Sequence, residues 1–334
     1  MENLIAAFPQ NISDCLDMAS PVTLKTPQHE IRNIIAIGMG GSGIGAKIVS
    51  QWVQNEIKVP VLLLQDYELP NFVDQHTLVI ASSYSGNTEE TLIGLNQAKN
   101  KNAHIVAITS GGQLETFCKE NDFDCILVPG GNPPRSALAF SLVQITNILV
   151  KLKFVSPDRL AEIARSKQLL EENIALIKSE ANKLAAFLQN KVGIFYSTSK
   201  YEALLVRARQ QFNENSKLLC WHHVIPEMNH NEQVGWGGGS DDFAVVFFDT
   251  KDSNPQNKKR FEITKDQVST KTSNILTIDA IGESTIEKTF YLIHIVDWAS
   301  LYLAELKSID PMDIKVIDFL KDELAKLSDT STSL

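Results

Sequence analysis

Cysteine is scarce in this 334-residue chain: there are four, Cys15, Cys118, Cys125 and Cys220, and no Cys-x-x-Cys pair. Cys118 and Cys125 are too isolated to suggest a zinc site. Positive charge is also short, with 31 Lys and Arg against 40 Asp and Glu, a net charge of −9. That excludes a uniformly basic nucleic-acid surface, although a locally basic pocket for a small anion stays open. No apolar run is long and clean enough for a membrane span. The most apolar stretch, Thr285 to Leu306, is interrupted by Glu287, Lys288, His294 and Asp297, and reads as a buried helix. The opening Met1-Glu2-Asn3-Leu4-Ile5 lacks a basic start followed by an apolar run. With so few cysteines, the chain is expected in a reduced, cytoplasmic setting. What is present is a globular composition, 43% apolar with 17 glycines, in a length that suits two domains.

After an amphipathic opening from Leu4 to Met18, short apolar runs alternate with helical patterns. Ile34–Ile37, Val61–Leu64, Leu78–Ala81, Ile105–Ile108 and Ile126–Val128 read as strands. The helices between them run to about Val53 and over Thr88–Lys99, and Ser136–Leu152 closes the half. The strands are continuously apolar, as expected when helices cover both faces of a parallel sheet. Residues 155 to 190 form a long helical stretch opened by Ser156-Pro157-Asp158. The alternation then resumes with strands at Val192–Tyr196, Phe243–Phe248 and Ile275–Ile278. Helices are expected over Ser199–Glu214, Gln256–Gln267, Thr285–Leu306 and Asp313–Leu327. The expected fold is α/β, two doubly wound domains of parallel sheet flanked by helices, residues 1–153 and 154–334.

Gly38-Met39-Gly40-Gly41-Ser42-Gly43 follows the first strand and fits G-x-G-x-x-G, with Asp66 at the end of the second strand. Alone, this suggests a dinucleotide. The third strand changes the reading. It ends in Ser82-Ser83-Tyr84-Ser85-Gly86-Asn87-Thr88-Glu89-Glu90, where several hydroxyls meet a helix N-terminus. One helix cap needs one hydroxyl, whereas a phosphate can use several donors. Two such turns at the carboxyl ends of parallel strands suit one phosphomonoester better than an extended dinucleotide. The Ser83-x-Ser85-Gly86-Asn87-Thr88 string with the upstream Gly40-Gly41-Ser42 resembles the sugar isomerase (SIS) domain. The resemblance implies that Gly41, Ser42, Ser83, Ser85 and Thr88 bind the phosphate of a sugar phosphate.

Two further strings narrow the resemblance. Asn213-Glu214-Asn215-Ser216-Lys217 ends a helix, and Pro226-Glu227-Met228-Asn229-His230-Asn231-Glu232 follows in a loop. With Arg135, set in the stiff Pro129-Gly130-Gly131-Asn132-Pro133-Pro134-Arg135 loop, they resemble the bifunctional phosphoglucose/phosphomannose isomerases, which carry two SIS domains. The match spans residues 34 to 321. It implies an aldose–ketose isomerase of carbohydrate metabolism, placed in glycolysis and gluconeogenesis, acting without metal or other cofactor on sugar 6-phosphates.

By the same resemblance Glu214 is the base, Arg135 stabilises the enediolate, and His230 assists ring opening from the neighbouring subunit of a homodimer. A C-terminal lysine also lines the family site: Lys321 is the candidate and Lys315 its competitor. Many relatives read Asp-Pro-Thr-Pro where this chain has Asp310-Pro311-Met312-Asp313. The alternative is a non-catalytic SIS module that senses a sugar phosphate. His222, His223, Glu227, His230 and Glu232 could be read as metal ligands, but their spacing fits no standard zinc set.

Overall fold

The computed structural model describes residues 1–331. The chain opens with α1 (Glu2–Ala6) and α2 (Phe8–Ala19), so the amphipathic opening is two helices, the second entered through Pro9 in its first turn. The first sheet then builds as β1 (Asn33–Ile37), α3 (Gly40–Val53), β2 (Val61–Leu64), β3 (Thr77–Ser83), α4 (Glu89–Asn100), β4 (His104–Thr109), α5 (Gly112–Glu120) and β5 (Asp124–Leu127), closed by α6 (Leu138–Lys151). A single-turn 3-10 segment, Pro134–Ser136, leads into α6. The stretch expected as one helical run divides at Asn173 into α7 (Asp158–Glu172) and α8 (Ile174–Leu188).

The second sheet follows: β6 (Val192–Thr198), α9 (Glu202–Ser216), β7 (Cys220–Ile225), α10 (Glu232–Gly235), β8 (Phe243–Asp249), α11 (Pro255–Ser269), β9 (Ile275–Asp279) and α12 (Thr285–Leu306). α13 (Lys315–Ser331) ends the described chain. Neither α5 nor β7 was expected from the sequence. The segment expected as a loop around Glu227 is a 3-10 turn, Glu227–His230, running into α10.

All pairings are parallel, in the orders β2-β1-β3-β4-β5 and β7-β6-β8-β9. In each sheet the order reverses once, between β1 and β3 and between β6 and β8. Those are the switch points where open α/β sheets bind ligands.

Alternation along each strand sorts side chains to two faces. Ile35, Ile37, Val79 and Ala107 face α4 and α5 in one outer core. Ile194, Tyr196, Val245 and Phe247 form another with Val268 of α11. Ile34, Ile80 and Val106 of the first sheet and Phe195, Val246 and Phe248 of the second share one central core with α2, α3, α6, α8, α9 and α12. α12 is buried along most of its length because it is the middle of that layer. It starts with a capping box: Ser284 Oγ accepts from Glu287 N at 3.2 Å, and Glu287 Oε2 accepts from Ser284 N at 2.8 Å.

Phe290 of α12 packs in tilted ring contacts against Phe8 at 5.7 Å and Trp52 at 5.5 Å, so it sits where the two halves join. Phe290→Ala is expected to cost about 3–5 kcal/mol. Because the core is shared, near-UV and far-UV signals should shift together in a urea titration. Separate transitions for the two signals would contradict a common core.

Candidate functional site

The site starts from the first switch point. The backbone crowds there: a Cβ on Gly43 would lie 2.3 Å from the Gly38 carbonyl oxygen, so only glycine lets α3 start so close to β1. Gly86 has φ +71° and its missing Cβ would fall 1.8 Å from the Gly111 oxygen, which fixes the Ser83–Thr88 turn against the loop before α5. Ser42 Oγ accepts from Tyr84 N at 3.1 Å and so ties the glycine turn to the hydroxyl turn. Ser83 Oγ and Thr88 Oγ1 pair at 2.8 Å, and Ser85 Oγ accepts from Asn87 N at 3.3 Å.

With Thr88 turned toward Ser83, the N-terminus of α4 has no side-chain cap, and neither has that of α3. The N-termini of α3 and α4 thus follow neighbouring strands at the switch point with no side-chain cap, a setting that favours an anion. All five residues expected to bind phosphate, Gly41, Ser42, Ser83, Ser85 and Thr88, belong to these two turns. Asp66, the ribose ligand of a dinucleotide reading, accepts instead from Tyr67 N at 2.7 Å in a local turn.

Arg135 reaches the same place from the other side. The Gly41 backbone packs against the Pro134 carbonyl, a Cβ there meeting its oxygen at 3.1 Å. Arg135 is 3% exposed. Its Nε donates to Asn215 Oδ1 at 2.8 Å, its Nη1 to Glu214 Oε2 at 3.3 Å, and its Nη2 to the Pro311 carbonyl at 2.7 Å. Burial lowers the Arg135 pKa and the Glu214 carboxylate opposes this, so the guanidinium stays charged at neutral pH. The Glu214 side chain is 29% exposed, so the shielding from water that a sugar-isomerising base wants is only partial within one chain. Lys217 lies beside them, its ammonium bonded to the Glu214 and Asp310 carbonyls at 2.6 and 3.0 Å. Burial, and then the charge of Arg135, depress its pKa.

A second buried arginine supports the first. Arg207 Nη2 donates to the Arg135 carbonyl at 2.8 Å and to both Asp297 oxygens at 3.0 Å. Gln211 Nε2 also donates to Asp297, at 2.8 Å. Asn215 completes the brace, donating to Ser300 Oγ at 2.9 Å. Sequence reasoning assigned no role to Arg207, Gln211 or Asn215. The one signal available was Asp297 itself, a charge inside an apolar helix, which has to find a partner.

Two of the expected residues do not join this group. His230 ends the 3-10 turn after cis-Pro226, is exposed, and makes no hydrogen bond to Arg135 or Glu214. Lys321 is exposed on α13 and has no ion-pair partner among the described residues, while Lys315 pairs with Asp313 at 3.5 Å. Met312 is exposed, its backbone N donating to Asp310 Oδ1 at 2.8 Å, and it places no hydroxyl beside Arg135.

The residues read as possible metal ligands are engaged separately. Glu232 accepts from the Tyr196 hydroxyl and from Trp221 Nε1, and Glu227 from Asn231. Burial, then Arg209, holds His222 down to about 4. Among the described residues no three His, Cys, Asp or Glu side chains form a metal-binding group. No helix among them is long and apolar enough to cross a membrane.

Comparison with known proteins decides the family. Residues 29–143 match the SIS domain, and residues 177–324 match the bacterial phospho-glucose isomerase C-terminal SIS domain. The bifunctional phosphoglucose/phosphomannose isomerase of Caldicellulosiruptor bescii is 37% identical over 332 residues, covering 96% of this chain and 98% of that protein. This chain belongs to the bifunctional phosphoglucose/phosphomannose isomerase family. The Thermoplasma acidophilum member is 34% identical, covering 94% of this chain and 99% of its own length. Among solved structures, the tagatose-6-phosphate ketose/aldose isomerase of Escherichia coli superimposes with a TM-score of 0.71 at 14% identity, covering 93% of this chain and 94% of that one. That likeness concerns the fold.

The brace behind Arg135 has a testable energetic signature. Arg207→Met leaves the buried Asp297 carboxylate without a counter-charge, which should cost about 3–5 kcal/mol in urea denaturation. Arg207→Met with Asp297→Leu should recover most of that loss, since an apolar pair replaces an ionic one. A double variant no more stable than the single one would contradict the ion-pair account.

Proposed function

We propose that this enzyme interconverts glucose 6-phosphate, mannose 6-phosphate and fructose 6-phosphate by proton transfer between C1 and C2. The observation that carries the reading is the Arg135–Glu214 ion pair, 3.3 Å long, at the edge of the anion-binding turns. One half of the fold supplies the phosphate turns and Arg135, the other the carboxylate. A sugar phosphate held by Gly41, Ser42, Ser83, Ser85 and Thr88 would extend its reacting carbons toward that pair. Glu214 takes the C2 proton of the opened aldose and returns it to C1. The enediolate formed between these steps is anionic, and Arg135, held by its brace, stabilises it without reorganising. With the hydroxyl proton passing from O2 to O1 as the C2 proton passes to C1, the shuttle is internal to the sugar and balances without a hydride acceptor or a Lewis acid. A sensing module needs the phosphate turns but not a carboxylate against a braced guanidinium, and the relatives over nearly the whole chain are named as isomerases.

The same reading divides the chain into SIS domains of residues 1–153 and 154–334 and places it in the cytoplasm, as its sparse cysteine suggests. It also makes the enzyme a homodimer. His230 is exposed and makes no hydrogen bond to the Arg135–Glu214 pair, so it would serve a neighbouring chain, moving protons at O5 and O1 during ring opening. Exposed apolar side chains, Val234 just after it and Val316 and Phe319 on the Lys321 helix, support a second copy covering these faces. Lys321 would then line the site from the covered helix.

Glu214→Gln is nearly isosteric and cannot accept the C2 proton. It should lower kcat by about 10²–10⁴-fold, with KM little changed. Coupled assays with both aldose phosphates check this, and wild-type kcat on both would remove Glu214 as the base.

The shared site is checked by co-refolding Glu214→Gln with His230→Ala in equal amounts. Random exchange makes half of the molecules heterodimers, each with one intact site, so activity should return to about a quarter of wild type. Heterodimers verified by mass spectrometry but no more active than the parents would mean that each chain completes its own site.

A further inference from the structure

The two sheets wind alike, so the second has a switch point of its own, between β6 and β8. The loops that meet there are Ser199–Tyr201, leading into α9, and the segment from Thr250 onward that leads into α11. At the matching place in the first sheet, the hydroxyls of Ser42, Ser83, Ser85 and Thr88 bond one another or the backbone and meet no carboxylate among the described residues. Here the place is filled by Asp252. Its Oδ2 accepts from Lys200 Nζ at 2.6 Å and from the Tyr201 hydroxyl at 2.8 Å. Its Oδ1 accepts from Thr250 Oγ1 at 2.6 Å, and Lys288 Nζ of α12 stands 3.9 Å from Oδ2.

Two ammonium groups and two hydroxyls thus converge on one carboxylate from both switch-point loops and from α12. Neighbouring charges are already matched elsewhere: Lys251 with Asp249 and Asp279, at 2.5 and 3.0 Å, and Glu202 with Lys47 at 3.2 Å. The cluster around Asp252 therefore carries a surplus positive charge. Burial works against the Asp252 carboxylate, but hydrogen bonds from Lys200, Thr250 and Tyr201 together outweigh it and hold its pKa below the usual range. This donor set, cations plus hydroxyls at the carboxyl ends of two parallel strands, is what a tetrahedral oxyanion needs.

We propose that the second domain retains an oxyanion site of the phosphate or sulfate class, and that the chain keeps it shut with the carboxylate of Asp252. Asp252 would thereby keep a sugar phosphate from docking at the wrong sheet, where no Arg135–Glu214 pair is present. It would also anchor the turn that enters α9, the helix carrying Glu214. The oxyanion site itself stands on the geometry of this cluster; only its purpose of turning away a sugar phosphate rests on the isomerase reading.

Removing the carboxylate should open the site. Inorganic phosphate is the probe, at constant ionic strength, with equilibrium dialysis of labelled phosphate and thermal melts as readouts. Wild type sets the baseline for binding at the first switch point. Asp252→Ala and Asp252→Ser should each take up a further phosphate per chain and gain more in Tm from phosphate than wild type does. Adding Lys200→Met to Asp252→Ala should abolish the gain. If the variants fold poorly in chloride, phosphate of equal ionic strength should restore them. Wild-type stoichiometry in both variants would overturn the proposal, as would extra phosphate that survives Lys200→Met, or a failure of both variants to fold even in phosphate.

Discussion

A guanidinium buried between two halves of a fold needs a counter-charge there, or the halves cannot close. Arg207 is that group. Its Nη2 binds Asp297 on α12 and the carbonyl of Arg135 in the 3-10 turn of the first half, while Arg207 itself rides on α9. One side chain therefore fixes three elements from two sheets. Everything chemical at the site is downstream of it. With its carbonyl held, Arg135 can send its side chain only toward the end of α9 and the Asp310–Pro311 loop, where Asn215, Glu214 and the Pro311 carbonyl receive it. The precision needed between a cation and a base is bought by burying both ends of the connection rather than by rigidity in either loop.

The two switch points show what a doubly wound sheet does with the same geometry twice. Parallel strands end together, and the helices that follow point their N-termini inward. That local field is a property of the fold and appears whether or not it is used. In the first sheet glycine and hydroxyls leave it open. In the second, a carboxylate and two lysines close it. A chain built from two similar halves has to break the equivalence somewhere, and polar side chains in two short loops are enough.

The strands were legible because parallel strands buried on both faces read as plain apolar runs. β7 was not, because Cys220-Trp221-His222-His223-Val224-Ile225 is an edge strand with polar residues on its open side. α5 was missed because it is short and opens at Gly111 and Gly112, both with positive φ, so its start looks like loop. At the candidate site, the two glycine-and-hydroxyl turns and the Arg135 loop were legible as turns from local strings, because a turn is a local object; the phosphate role proposed for them rests on the resemblance. The brace could not. Arg207 and Asp297 are separated by 90 residues, and nothing in their spacing says that they meet. The interruption of an apolar helix by Asp297 showed only that a partner exists. The final helix was also read correctly as a helix, yet its lysine is exposed. Helical periodicity says which residues share a face, not what lies against that face.

That last gap bears on how the chemistry works. Glu214 is paired to Arg135 but keeps partial contact with water, and water weakens the field by which a fixed cation stabilises an enediolate. Enclosing the pair would strengthen every electrostatic contribution without adding a single reactive group. In the proposed dimer, the residues that would enclose it are ones a lone chain leaves exposed: the His230 turn with Val234, and α13 with Val316 and Phe319. Their exposure costs a monomer apolar surface that a partner would cover. The proposed dimer is therefore favoured by the same burial that would dry the site, so assembly and catalysis draw on one source of free energy. On this proposal an isolated chain, even one correctly folded with Arg135 and Glu214 in place, would hold its proposed base in too wet an environment to turn over well.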